Sequence, residues 1–337
     1  MTIPDAIARA VAGESLDEAE MATVMGRMMD GEATPAQIAS LLTALRMKGE
    51  TADELVGAAR AMRARMTPLR VTTPVVDTCG TGGDGLSTFN VSTAAALIAA
   101  GAGVAVAKHG NRAMSGRVGG ADVLEALGVT IDLSAAGVAR CVAEAGIGFC
   151  FAPRFHAAMR FAAAPRREIG IRTMLNLLGP LANPAGADAQ LVGVFAPGWT
   201  DVVAAALCRL GTRRALVVHG AEGLDEISAT GPTKVSEVAG GAVRTYHLEP
   251  RDFGVAAVAS APRADDAAAS AAIVRGVLAG DPGPARELAL VNAAAVLVVA
   301  GRAADWRDGY EQAARAIASG TAAAALARLV AASGATA

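Results

Sequence analysis

Aromatic residues are scarce in this sequence, at 3% of 337 residues, which argues against the stacking platforms used by single-strand nucleic-acid binders. Excess charge is missing too. Thirty Lys and Arg against 32 Asp and Glu leave a formal net charge of −2, so no global field draws in a polyanion and any phosphate recognition must be local. The four cysteines, Cys79, Cys141, Cys150 and Cys208, form no CxxC pair and no zinc spacing, and read as reduced thiols of a cytosolic protein. The longest apolar runs, 94–107 and 293–300, are too short for a membrane span, and Gly101 and Gly103 interrupt the first. The opening residues, MTIPDAIARAVAGESLDEAE, are acidic and amphipathic, unlike a signal or transit peptide. The expectation is a soluble cytoplasmic protein. Lysine is the last scarcity: of 30 basic residues only Lys48, Lys108 and Lys234 are Lys, so a Lys in a motif hints that a compact ammonium is wanted there.

What remains is abundant Ala, Val, Leu and Gly, in a chain long enough for one large and one small domain. Residues 1–66 read as all-helical. Ser15–Glu18, Thr34–Gln37 and Thr51–Glu54 form three successive capping boxes, with Pro35 at a first helical position and Gly31 and Gly49 at helix ends. Met21, Val24, Met25 and Met28, then Ile38, Leu41, Leu42 and Leu45, recur at helical spacing. From Thr67–Pro68 the pattern changes to short apolar strands (75–76, 104–107, 190–195, 215–219) alternating with alanine-rich helices. That alternation predicts an α/β domain over 67–337, its central sheet mostly parallel and flanked by helices. Residues 166–184 read as helical again.

The most informative stretch is DTCGTGGDGLSTFNVSTAAALIAAGAGVAVAKHGNR, from Asp77 to Arg112. It reads as strand, glycine-rich turn, helix and strand, followed by a polar cationic loop. Four glycines between Gly80 and Gly85 leave backbone N–H groups bare, and Asn90, Ser92 and Thr93 sit where a helix begins. A helix N-terminus carries about half a positive charge, so this is a phosphate cradle with Lys108, His109, Asn111 and Arg112 beside it. Gly80, Gly82 and Gly85 formally match a dinucleotide fingerprint. That reading needs an acid roughly 20 positions on to hold a ribose hydroxyl, and here the second strand ends in Lys108–His109. No GxxxxGK[ST] P-loop occurs either.

Two further constellations stand downstream. Asp225–Glu226 lies on an irregular loop, HGAEGLDEISATGPTKVSE, where adjacent carboxylates can point to one site. Such a pair suits Mg²⁺, which takes one or two carboxylates plus substrate phosphates and keeps water. Arg166–Arg167 reads as the start of a helix over 165–178. There a cationic pair opposes the dipole, so a bidentate carboxylate contact would account for it.

GTGGD (80–84), FNVST (89–93), KHGNR (108–112), ADVLEALG (121–128), RREIGIRTMLNLLGPLANP (166–184) and GLDEIS (223–228) together resemble the anthranilate phosphoribosyltransferase family, in order over nearly the whole chain. The resemblance implies transfer of phosphoribose from phosphoribosyl pyrophosphate (PRPP) to anthranilate with Mg²⁺ in tryptophan biosynthesis. It also implies a homodimer joined through the helical domain 1–66, with helices of about 165–185 packing back toward it, and no membrane or nucleic-acid partner. Carried over by position, Gly80, Gly83, Asp84, Thr88, Asn90, Val91, Ser92, Thr93, Lys108, Gly116 and Gly120 would hold PRPP. Ser92, Asp225 and Glu226 would ligate magnesium. Gly80, His109, Asn111 and Arg166 would meet anthranilate, and Lys108, Asn111 and Arg166 would be the catalytic set. The chain departs from the family in carrying Gly116 and Gly120 where serines are common, and Ala157 where a proline usually follows His156. Two other readings compete. A pyrimidine nucleoside phosphorylase would place Ser and Thr beside KH rather than GNR, and a non-catalytic nucleic-acid-binding relative would need a basic groove.

Overall fold

The protein is described as a computed structural model covering residues 1–82, 85–113 and 118–335. The sites read at Gly83, Asp84 and Gly116, and the neighbouring Ser115, lie outside those residues. Four helices open the chain: α1 (Ile3–Val11), α2 (Glu18–Met29), α3 (Pro35–Lys48) and α4 (Ala52–Arg65). Each begins with a reciprocal capping box, Thr2 with Asp5, Asp17 with Glu20, Thr34 with Gln37 and Thr51 with Glu54. The second box corrects the expected Ser15–Glu18. Starting α2 at Asp17 leaves Leu16 just before the cap, where it buries in the same core as Met21 four positions into the helix, the arrangement of a hydrophobic staple. Ser15 instead offers its carbonyl to Arg9 and its hydroxyl to Lys48.

The rest of the chain alternates strands and helices. In order come β1 (Val76–Gly80), α5 (Val91–Gly101), β2 (Val106–Gly110), α6 (Gly120–Ala126), α7 (Ala135–Ala145) and β3 (Ile147–Phe151). Three helices follow, α8 (Ala152–Phe155), α9 (Arg160–Ile169) and α10 (Leu178–Leu181), then β4 (Ala189–Gly193), α11 (Trp199–Arg209) and β5 (Arg214–Gly220). A hairpin of β6 (Thr233–Ala239) and β7 (Ala242–Leu248) precedes α12 (Ala267–Ala279), α13 (Pro284–Val299), α14 (Trp306–Ala318) and α15 (Thr321–Gly334). The seven strands form one sheet in the order β3-β2-β1-β4-β5-β6-β7, parallel from β3 to β5 and antiparallel at β6 and β7. This is an α/β fold with a mostly parallel sheet and an N-terminal helical bundle.

The expected strands fall at β1, β2, β4 and β5, while β3, β6 and β7 are additions that the structure makes. The hairpin turn is Gly240–Gly241, with φ of 57° and 76°, a two-residue connection that only left-handed residues close without strain. The stretch expected as one helix over 165–178 is also different. Gly170, at φ 65°, ends α9, and a 3₁₀ turn over Met174–Asn176 precedes α10.

Two cores result. One packs α5, α12, α13 and α15 against one sheet face, and the other joins α1–α4 to the opposite face through Cys79, Val192, Val203 and Val217. Because β2 and β3 lie to one side of β1 and β4 to the other, the chain reverses direction of growth between β1 and β4. The crevice beyond the C-terminal ends of those two strands is the usual ligand position in such sheets. No single helix among the described residues is long and apolar enough to cross a membrane.

The bundle depends on a close approach of α2 and α4 at Gly57, where a Cβ would lie 2.3 Å from the Glu18 carbonyl oxygen and 2.9 Å from Met21 Cβ. Helix propensity alone makes Gly57→Ala stabilising by roughly 0.5–1 kcal/mol. The contact reverses the sign, and we expect a loss of about 1–3 kcal/mol, typical of overpacking, measured as a lower denaturation midpoint. A raised midpoint would contradict this packing.

Candidate active site

The C-terminal edge of β1, the N-terminus of α5 and the end of β2 face one cavity of about 780 Å³. Asn90 caps α5 by accepting from the Thr93 N–H at 3.0 Å, and its own N–H donates to Ser270 Oγ at 2.9 Å. Val91, Ser92 and Thr93 form the first turn, and the Thr93 hydroxyl is buried without a partner among the described residues. Lys108 is 3% exposed. Its Nζ donates to the Thr78 carbonyl at 2.6 Å and Ser92 Oγ at 3.0 Å. Burial pushes the Lys108 pKa down, with the charge of Asp77 opposing. Gly120 opens α6 against Lys108, Thr93 and Asn90, and a Cβ there would touch all three at 3.7–3.9 Å. Thr88 lines the same wall.

Asp225 and Glu226 sit on the loop after β5 and line the cavity while only 8% and 7% exposed. Their loop is seated on the ends of β1 and β4, where Gly80 and Gly193 are paired in register. A Cβ at Gly193 would fall 1.6 Å from the Asp225 carbonyl oxygen, and one at Gly80 would fall 2.5 Å from Asp225 Oδ2. Glycine is required at both positions by this approach. Asp225 Oδ2 also accepts from the Gly82 N–H at 2.7 Å, tying the acidic loop to the glycine turn. Among the described residues no cluster of three or more His, Cys, Asp and Glu could hold a metal. Two carboxylates and the Ser92 hydroxyl on one cavity wall form an all-oxygen set short of a full shell, which fits Mg²⁺ completed by water and substrate oxygens and not a cation that needs a protein cage.

The opposite wall comes from α8–α10. Arg166 lies in the last turn of α9, not at a helix start as expected, so its charge is favourable to the dipole. It is half-buried, lines the cavity, and has no hydrogen-bond or ion-pair partner among the described residues. Burial lowers its pKa. A desolvated guanidinium without a counter-ion favours an anionic, planar ligand. His109 lies between the two walls. Its backbone N–H donates to Asp77 Oδ1 at 3.0 Å, and its ring Nδ1 lies 3.0 Å from the Gly179 carbonyl oxygen, which acts only as acceptor and so assigns the ring proton to Nδ1. Burial also lowers the His109 pKa. Asn111 lines the cavity just beyond, its Oδ1 accepting from the Arg112 N–H at 2.8 Å.

Gly80, Thr88, Asn90, Val91, Ser92, Lys108, His109, Asn111, Gly120, Arg166, Asp225 and Glu226 thus line one cavity, and Thr93 sits directly behind it. Arg112 behaves differently from a free cation. Its guanidinium donates to Asp122 at 2.9 Å and to Glu125 at 2.5 and 2.8 Å, over the ring of Phe151. His156, Arg172, Asn176 and Met62 also line the cavity, beyond the residues expected from the sequence. Only the isolated His156 in an apolar stretch carries a signal that could have marked it.

A helical bundle joined to an α/β domain, with a helix N-terminus and an acidic loop converging at the switch point, is the architecture that two glycosyl transferase family models match. Residues 4–66 match the model of the glycosyl transferase family helical bundle domain, and residues 72–323 match that of its a/b domain. Anthranilate phosphoribosyltransferase from Moorella thermoacetica is 57% identical over 327 residues, 96% of each chain, and that from Roseiflexus sp. (strain RS-1) is 55% identical over 98% of each. The crystal structure of the Thermus thermophilus enzyme is 45% identical with a TM-score of 0.91, covering 97% of this chain and 99% of that one. The Saccharomyces cerevisiae enzyme in complex with PRPP and Mg is 26% identical with a TM-score of 0.89, over 99% and 98%. The chain belongs to the anthranilate phosphoribosyltransferase family.

The histidine pair in the cavity wall has a measurable consequence. His109 and His156 have ring centroids 5.0 Å apart, and neither nitrogen of His156 meets hydrogen-bond geometry among the described residues. Burial, and then His109, push the His156 pKa from 6.5 to about 3, the Ala182 carbonyl offsetting only part. Between those values the unfolded chain binds a proton that the folded one refuses, so stability rises with pH across the window and is lost as pH falls from 6.5 toward 3. We expect unfolding temperatures to fall over that range and His156→Gln to flatten part of the slope. An unchanged slope in the variant would refute a neutral His156.

Proposed function

We propose that the protein transfers the phosphoribosyl group of PRPP to the amine of anthranilate, giving N-(5-phosphoribosyl)anthranilate and pyrophosphate in tryptophan biosynthesis. One observation carries this reading. The cavity presents a helix N-terminus and a buried ammonium on one wall and an uncompensated guanidinium on the other. The first wall suits phosphates and the second a carboxylate.

The aromatic amine of anthranilate is neutral at pH 7, so attack on the ribose carbon needs no strong base. A carbon–nitrogen bond forms, the carbon–oxygen bond to pyrophosphate breaks, and the amine gives up a proton. The task left to the protein is to align the amine and to stabilise the departing anion. Arg166 and Asn111 serve the first by holding the acceptor. The α5 N-terminus, Ser92, Thr93 and Lys108 serve the second with donors fixed before reaction. Asp225, Glu226 and Ser92 would hold Mg²⁺, which when bound supplies charge neutralisation on the phosphates. Thr88 and Gly120 complete the donor wall, and His109 shapes the acceptor channel. The protein would work in the cytoplasm as a homodimer joined through α1–α4, whose Val11 and Met47 are 74% and 83% exposed.

Loss of anthranilate fluorescence on incubation with PRPP and Mg²⁺ tests the reading. Turnover of thymidine with phosphate, and none of anthranilate, would overturn it. Arg166→Ala is expected to raise the anthranilate KM by roughly 10- to 100-fold, the worth of charge-assisted hydrogen bonds of about 1.5–3 kcal/mol. Asp225→Asn should instead raise the Mg²⁺ requirement.

A further inference from the structure

Helix α13 is apolar and buried from Leu288 to Val299 with one exception, Asn292, which is also 0% exposed. A primary amide in such surroundings costs several kcal/mol unless every polar atom finds a partner, and Asn292 finds all of them. Its Oδ1 accepts from the Ile227 N–H at 2.9 Å, while Nδ2 donates to the Ile227 carbonyl at 2.9 Å and to the Leu288 carbonyl at 2.8 Å. The first two bonds form a reciprocal pair with the backbone of one residue, as between hydrogen-bonded partners of an antiparallel ladder. The third ties the amide to its own helix and fixes its direction. Ile227 directly follows Asp225–Glu226.

The chain beyond is held as well. The Ser228 N–H donates to Thr233 Oγ1 at 2.8 Å, and Ser228 Oγ donates to Glu222 at 2.5 Å. On the near side the Asp225 carbonyl abuts Gly193. Helix α13 packs on α5, the helix whose N-terminus opens the cavity. Through Asn292 the helical layer therefore bonds the acidic loop to the frame carrying the phosphate cradle.

We propose that Asn292 is a positioning residue for the magnesium-binding carboxylates, acting through the Ile227 backbone. It rests on the reading of Asp225 and Glu226 given above. Neither Leu nor Asp can replace it: Leu bonds neither group, and Asp accepts from the N–H but turns an anion toward the Ile227 carbonyl.

The test is PRPP binding by equilibrium dialysis over a series of Mg²⁺ concentrations, for the unaltered protein, Asn292→Asp and Asn292→Ser. Serine keeps a bond to the carbonyl four residues back but falls short of Ile227, so it separates the lost clamp from a buried unpaired charge. Ser333→Ala, which removes another fully buried polar group bonded to Thr130, is the control for general destabilisation. We expect the Mg²⁺ concentration for half-maximal PRPP binding to rise roughly 10- to 100-fold, as for other groups that orient metal ligands. The anthranilate KM at saturating Mg²⁺ and PRPP should stay unchanged. A folded Asn292 variant with the Mg²⁺ dependence of the unaltered protein would overturn the proposal. So would an equal rise in the Mg²⁺ and anthranilate constants, which marks general loosening. If the unaltered protein itself shows no Mg²⁺-dependent PRPP binding, the functional reading fails first.

Discussion

A carboxylate with no solvent exposure in the middle of a sheet must be compensated, because an unpaired buried charge costs several kcal/mol. Asp77, in β1, is 0% exposed and meets that demand by binding the two segments between which the substrates would lie. Oδ1 accepts from the His109 N–H in β2, and Oδ2 accepts at 2.8 Å from Asn183 Nδ2, which also donates to the Ala107 carbonyl. The Lys108 ammonium supplies the nearby positive charge. One acid thus sets the height of His109, favours the ionised form of Lys108 against its burial, and anchors the segment that follows α10.

The same logic extends back into α10. The carbonyls of Gly179, Pro180 and Leu181 lie within hydrogen-bond distance of His109 Nδ1 at 3.0 Å, Gln190 Nε2 at 2.9 Å and Arg63 Nε at 2.7 Å. These side chains come from β2, β4 and α4. The carbonyls that this one-turn helix leaves free are therefore met by donors from both the sheet and the bundle. This explains how the wall bearing Arg166 stays in register with the cradle. The acceptor wall is no appendage of either core, since it is hydrogen-bonded to the fold at consecutive residues.

The parts legible in the sequence are those whose physics is local. Asn90 as cap, Ser92 and Thr93 in the first turn, and two of the capping boxes in the bundle are written in contiguous residues, because a cap acts within four positions. β6 and β7 also carry a local signal, Gly-Gly between alternating stretches, but it is weak beside the helix patterns around it. β3 is harder, since IGFCF is a five-residue apolar run that periodicity does not separate from a helix end. The placement of Arg166 fails for a different reason. Pro165 suggests a helix start, but the helix already running from Arg160 accommodates it, and Gly170 ends the run at φ 65°. Asp77, Asn183 and Asn292 are invisible as structural ties because their partners lie 32 to 106 residues away. An isolated polar residue in an apolar strand or helix marks such a tie without naming its partner.

Arg112 shows how electrostatics narrows the chemistry of the cradle. KHGNR suggests two cations closing over phosphates, yet Arg112 is exposed and bidentate to Glu125, with Asp122 as a third contact. Its charge is largely cancelled before any ligand arrives, and its role is to hold the loop carrying Asn111 against α6. Among the described residues the phosphate wall is left with neutral donors, the α5 N-terminus and the ammonium of Lys108. That is too little positive charge for a pyrophosphate and a ribose phosphate together. With PRPP as donor, the divalent cation proposed at Asp225 and Glu226 would supply the missing positive charge, and the acidic loop would then have to be held as firmly as the glycine turn it faces.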